Sequence, residues 1–350
     1  MRVGIYDPYL DTLGGGERYI LSIASMLLEK HSVTLFWDES AIIEKAESKF
    51  KLSLKGLRQD KNIFASGIST SQRLLYSVQY DVIFYISDGS IPSLLSRKVV
   101  PIVQYPPDTH FSSSTVASIK LINTKFILCY SEFIKKYLDK EFNKPVHVLY
   151  PPVKKIPLRL TKEKVILCVG RFTRGKNTKK QEFLIEFFVK HKMHFHGWKL
   201  VFIGSVLEVD RDYVEDLKNM ASGTDAIEFL IDVSYAVLSR YYATARIYWH
   251  AAGIGEDSVT HPEAVEHFGI SIVEAMSAGC VPIVYRAGGP TEIITEAING
   301  FFFSDSNDLF HKTKSLMSDA RLWQKLSDAA IDRSEYFSLE KFGSRLRELL

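Results

Sequence analysis

Apolar residues fall along this chain in short dense runs, and between the runs lie longer stretches whose apolar positions recur at helical spacing. The opening shows both periods. Residues 2–6 read as a strand, residues 7–16 as a loop, and residues 17–30 as a helix with Ile20, Ile23, Ala24, Leu27 and Leu28 on one face. Residues 33–37 read as a second strand. Further strand-like runs follow at 81–87, 99–104, 126–130 and 146–149, separated by helical stretches. Such alternation predicts a doubly wound α/β unit whose ligands sit at the carboxyl ends of its strands.

Tyr150-Pro151-Pro152-Val153 breaks the pattern, because two adjacent prolines suit neither a helix interior nor a central strand. A basic run to Lys164 follows, and the segment reads as a linker. The alternation then restarts, with strands predicted at 165–169, 199–203, 227–230, 246–249 and 281–285 and helices at 235–243 and 271–278. Three more helical stretches, 306–317, 320–334 and 339–350, close the chain. The division is into a first lobe at 1–152, a second at 153–334 and a terminal segment at 335–350.

Length supports that division, since 350 residues exceed one typical domain. With 46% hydrophobic and 24% charged residues the composition is that of a globular protein, and a net charge of +3 is too small to imply a nucleic-acid partner. Cys129, Cys168 and Cys280 lie in or beside apolar runs and read as buried thiols of a reducing compartment. The N-terminus enters a strand directly, without a signal-peptide pattern, and no apolar run approaches the ~20 residues needed to span a bilayer. The expected location is the cytoplasm or the cytoplasmic face of a membrane. Residues 43–61 interleave lysines with Phe50, Leu52, Leu54 and Leu57, which suits peripheral contact with an anionic membrane surface; a solvated charged face is the alternative.

Chemistry concentrates in three places. Gly14-Gly15-Gly16 precedes a helix, and Gly15 and Gly16 place free amides where a phosphate can sit, although the further glycines of a dinucleotide fingerprint are absent. Gly170 to Lys180 is a basic turn after a strand, containing Arg171, Lys176, Lys179 and Lys180. Residues 261–292 carry Glu266 and Glu274 eight apart, with Phe268-Gly269-Ile270-Ser271 leading into a helix that stops at Gly279. Two carboxylates beside a helix N-terminus suit a ligand with both phosphate and hydroxyl groups, namely a nucleotide sugar. Gly269 allows the ligand close to the backbone. His250, at a strand end, is a further candidate, with a satisfied structural histidine as the alternative. No cluster has metal-site spacing.

The run EHFGISIVEAMSAGCVPI, followed by AGGPTEII and NGFFF, resembles the signature of retaining GT-B glycosyltransferases of the group 1, or family 4, type. The resemblance implies a GT-B fold, two Rossmann-like lobes facing a central cleft, with the last helix packing back on the first lobe. It implies hexosyl transfer from a nucleoside-diphosphate sugar to a glycan, lipid-linked or small-molecule acceptor, with no cofactor or metal. In it Arg171 and a lysine clamp the diphosphate, Glu266 contacts the transferred sugar, Glu274 holds the ribose, and Gly15, Gly16, His250, Phe268, Gly269, Ile270 and Ser271 line the donor. Counting forward from Arg171 makes Lys176 the clamp; counting back from Phe183-Leu184-Ile185-Glu186 makes it Lys179, the reading preferred here, with Lys180 turned to solvent. The histidine that often precedes Tyr-Pro in such enzymes is Gln104, so no catalytic histidine is assigned to the first lobe. His267 and the Ala287-Gly288-Gly289-Pro290 turn resemble members that use GDP-mannose. An epimerase or phosphorylase on the same fold, or a non-catalytic binding subunit, is the alternative.

Overall fold

The structure, a computed structural model, describes residues 1–106, 115–157, 160–175 and 178–350. Lys176 therefore lies outside the described residues. The chain divides into two compact units, 1–152 with 339–350 and 153–338.

In the first unit seven parallel strands, β1 (Arg2–Tyr6), β2 (Ser32–Phe36), β3 (Arg58–Asp60), β4 (Val82–Ile86), β5 (Lys98–Val103), β6 (Ile127–Cys129) and β7 (Val146–Val148), are ordered 3-2-1-4-5-6-7. Its helices are α1 (Gly15–Leu28), α2 (Ile42–Phe50), α3 (Thr70–Ser77), α4 (Thr115–Lys120) and α5 (Glu132–Glu141). Strand β4 is buried along its whole length, which explains why it reads as a continuous apolar run.

The second unit repeats the plan with β8 (Glu163–Val169), β9 (Lys199–Gly204), β10 (Ile227–Ile231), β11 (Ala245–His250), β12 (Val281–Tyr285) and β13 (Phe301–Phe303), ordered 10-9-8-11-12-13. Helices α6 (Gln181–Lys190), α7 (Arg211–Ala221), α8 (Tyr235–Thr244), α9 (Ile270–Ser277), α10 (Pro290–Ile293), α11 (Ser306–Ser318) and α12 (Ala320–Ser334) accompany it. Its core is aromatic: Phe187 and Phe195 meet Trp249 edge-on at 5.4 and 6.0 Å between ring centroids. In each sheet the order reverses beside the third strand, β1 or β8, where ligands of such sheets collect.

Helix α13 (Leu339–Leu349) belongs to the first unit: Phe342 packs edge-on against Tyr19 of α1 at 5.5 Å. The segment 335–338 stays with the second unit, where Val153 N–H donates to the Phe337 carbonyl at 2.8 Å. The expected boundary at 334/335 therefore lies at 338/339.

One expectation needs correction. Helix α1 starts at Gly15, so Gly15 and Gly16 are helical rather than loop residues; the Glu17 carboxylate accepts the Gly14 N–H and caps the turn. The lysine-rich segment forms α2, and its buried residues Ile42 and Ala46, with Leu54 beyond them, face their own unit. The other apolar side chains of the segment, Phe50, Leu52 and Leu57, are half-buried.

Candidate functional site

In the second unit the chain leaving β8 turns at Gly170, whose N–H donates to the Ile203 carbonyl at 3.0 Å. A Cβ on Gly170 would lie 2.6 Å from Lys179 Cγ, because the Lys179 side chain folds back across this glycine. It ends on Glu266, with Lys179 Nζ 2.8 Å from Glu266 Oε2 and both side chains mostly buried. His250, 1% exposed at the end of β11, brings Nε2 to 3.0 Å from the same oxygen, a charge-pair distance without hydrogen-bond alignment. Burial alone would raise the Glu266 pKa, but the charge and hydrogen bond of Lys179, with the His250 ring close by, outweigh it and hold the carboxyl well below its ordinary value. Glu266 is therefore a fixed anion.

Gly269, at φ 110°, begins α9. The N–H groups of Ile272 and Val273 both reach the Gly269 carbonyl, which leaves the amides of Ile270 and Ser271 without acceptors in the helix. Tyr248 Oη lies 2.8 Å from Ser271 Oγ and 3.2 Å from the Val169 carbonyl, pinning the helix start to the end of β8. One turn on, Glu274 is 7% exposed and accepts the Tyr242 hydroxyl at 3.0 Å. A basic side chain, an aligned carboxylate and free amides thus meet at the carboxyl ends of β8 and β11.

A second glycine turn braces this loop. A Cβ on Gly288 would lie 2.2 Å from the Glu266 carbonyl oxygen, and one on Gly289 2.3 Å from that of His267. Gly289 N–H also donates to the Glu266 carbonyl at 2.8 Å. The two glycines of the Ala-Gly-Gly-Pro turn leave no room for a side chain because the backbone carrying Glu266 rests on them.

The structure thus brings Lys179, His250, Glu266, Gly269, Ile270, Ser271 and Glu274 together in one unit. Arg171 is exposed just beyond Gly170, and among the described residues no carboxylate pairs with it. Phe268 departs from expectation in its ring alone, which is buried against Phe337 at 5.4 Å between ring centroids. Lys180 departs too, since it is paired with Glu256 at 2.7 Å with its side chain only 20% exposed. Tyr242 carries no local signal of a site role in the sequence, and the hydroxyl partners of Tyr242 and Tyr248 appear only in three dimensions.

In the first unit, Gly15 and Gly16 lie at the start of α1. A Cβ on Gly16 would lie 2.5 Å from Gln104 Nε2, so the Gln104 amide covers the helix start where the family resemblance implies a histidine. Asp7 beside it is buried; burial first, and then the charge of Glu17, push its pKa up to about 7. Among the described residues no three His, Cys, Asp or Glu side chains are grouped as a metal site would require.

The family model for glycosyl transferases of group 1 matches residues 152–333. The chain is similar to a GDP-Man:Man(3)GlcNAc(2)-PP-Dol alpha-1,2-mannosyltransferase of Dictyostelium discoideum, 28% identical over 61% of this chain and 43% of that protein. It is also similar to an uncharacterized glycosyltransferase of Methanocaldococcus jannaschii, 36% identical over 41% of this chain and 33% of that one. The matches therefore span less than half of either relative. Among solved structures, Anabaena HepE in complex with UDP matches with a TM-score of 0.77 at 18% identity, over 100% of this chain and 99% of that one. That likeness is one of fold, two Rossmann-like lobes of GT-B type.

Proposed function

The chain belongs to the group 1 glycosyl transferases, and we propose that it moves a hexosyl group from a nucleoside-diphosphate sugar to an acceptor hydroxyl with retention at the anomeric carbon. One observation carries this reading: Lys179, Glu266 and the free amides of α9 converge beside the buried Glu274. Cations and amides suit a diphosphate, and carboxylates suit hydroxyl groups.

In the proposed reaction the bond from the anomeric carbon to the diphosphate oxygen breaks, with Arg171 and Lys179 stabilising the charge that develops on the leaving group. The acceptor oxygen bonds to the same face of that carbon, and its proton passes to the leaving phosphate. Glu266 holds the sugar hydroxyls and Glu274 the ribose. The two basic side chains supply the positive charge, so we assign no resident metal or cofactor. The acceptor class is a glycan or lipid-linked hydroxyl. GDP-mannose is the favoured donor, on His267, the Gly288-Gly289 turn and the named mannosyltransferase relative.

The test incubates the protein with a panel of nucleotide sugars and follows nucleoside diphosphate release, then reads the product anomer by proton NMR. Release from a GDP-hexose with retained configuration is the expected result. Donor isomerisation without release would make the protein an epimerase, and binding without turnover a non-catalytic subunit.

A further inference from the structure

Exposed apolar side chains of the first unit gather at one edge of its sheet. Leu75, 69% exposed, and Tyr76 end α3, and Val78 follows; Leu95 lies just before β5; Ile119 and Ile122, the latter 74% exposed, lie at and just beyond the end of α4. These segments lead into β4, β5 and β6, which are neighbours in the sheet, so all three reach its amino edge. Hydrogen bonds link them. Leu95 N–H donates to Ser77 Oγ at 2.8 Å, Arg97 N–H to the Tyr80 carbonyl at 3.4 Å, and Val99 N–H to the Asn123 carbonyl at 3.0 Å.

Basic side chains stand among them. Arg97 is 83% exposed, Lys120 and Lys125 flank the turn that carries Ile122, and Arg2 lies over the Tyr80 ring at 5.4 Å. Asp81 at this edge is already engaged, accepting Arg2 N–H at 2.8 Å and pairing with Arg97 at 3.6 Å.

Soluble surfaces normally scatter their apolar residues. Aliphatic side chains in a basic surround match the two layers of an anionic bilayer surface, acyl chains below and phosphates above. A second copy of the chain fits less well, because a twofold contact would set these cations against each other. We propose that the amino edge of the first sheet docks on an anionic lipid surface, with Leu75, Leu95 and Ile122 entering the acyl boundary and Arg97 and Lys125 meeting headgroup phosphates. This edge is opposite the carboxyl edge where Gly15 and Gly16 lie, so docking leaves that end of the first unit uncovered.

The test is sedimentation of the full chain with phosphatidylcholine vesicles and with vesicles containing one third phosphatidylglycerol. The parent protein is expected to bind the anionic vesicles at least tenfold more tightly, and progressively less as salt rises. A Leu75→Ser/Ile122→Ser variant should lose at least tenfold. Each Lys or Arg near such a surface strengthens binding about fivefold, so Arg97→Ala/Lys125→Ala should lose about twenty-five-fold. Unchanged nucleoside-diphosphate binding in both variants shows that they are folded. Equal binding to both vesicle types, or a double variant that sediments like the parent, overturns the proposal. So does a parent dimer that the Leu75→Ser/Ile122→Ser change dissociates.

Discussion

The turn from β1 into α1 and the turn from β8 into α6 hold equivalent places, each following the third strand of its sheet beside the reversal of strand order. Their electrostatics are opposite. The first joins the buried Asp7 to Glu17, and burial with that like charge pushes Asp7 up to about 7. The second joins Lys179 to Glu266, whose carboxyl is held well down despite its burial. A shared backbone plan thus fixes where a ligand meets the sheet, while a few side chains decide which charge it carries.

Breaking the second turn should have the largest effect. Glu266→Ala is expected to lower kcat about a hundred- to a thousandfold with little change in nucleoside-diphosphate affinity, by analogy with loss of one aligned electrostatic contact. Steady-state kinetics beside calorimetry checks this, and an equal loss in both measurements would mean that Glu266 holds the nucleotide.

Lys179→Ala should weaken nucleoside-diphosphate binding about ten- to a hundredfold, since a charge-assisted bond contributes roughly 1.5–3 kcal/mol. Lys180→Ala is the control, because its partner is Glu256 and its loss should cost less than about threefold. A larger loss at Lys180 would move the clamp to the wrong side of the loop. Glu274→Ala should come next, with about a tenfold loss of affinity for the ribonucleotide and a smaller one for its 2′-deoxy analogue. Equal losses would remove the ribose assignment.

The smallest effect on turnover, and the sharpest in sign, is expected at Asp7. Its folded pKa lies above its unfolded value of about 3.9, so the folded state holds the proton longer and stability falls as pH rises from about 4 to about 7. Asp7→Asn should therefore match the parent in thermal midpoint near pH 4 and exceed it near pH 8. Glu266 has the reverse sign: its contribution is full above the ordinary glutamate range and is lost as pH falls below it. A parent midpoint that rises between pH 5 and 8 in step with Asp7→Asn would contradict the assignment of Asp7.

Much of the fold is legible in the sequence because buried parallel strands leave continuous apolar runs and the helices between them leave a periodic face. Strand β3, Arg58-Gln59-Asp60, leaves neither, being a short polar strand at the sheet edge. Helix α2 was hidden because it buries only Ile42 and Ala46. At the candidate site the order of Glu266, Gly269 and Glu274 was legible, since all three sit in one continuous loop and helix. Contacts across the fold were not: Lys180 and Glu256 are 76 residues apart, and no local pattern links them. The Phe268 ring shows the same limit, because adjacency to Glu266 in the chain does not fix its direction.

Helix α13 also sets an order in time. Its Phe342 closes on Tyr19 and its Gly343 on Met26, across more than three hundred residues of intervening chain. As the polypeptide leaves the ribosome, all of 153–338 emerges before the last helix of the first unit does. The second unit can complete its own set of contacts first, while the first waits with the α1 surface around Tyr19 and Met26 uncovered. The first unit can thus complete its contacts only after the chain has emerged as far as its last helix.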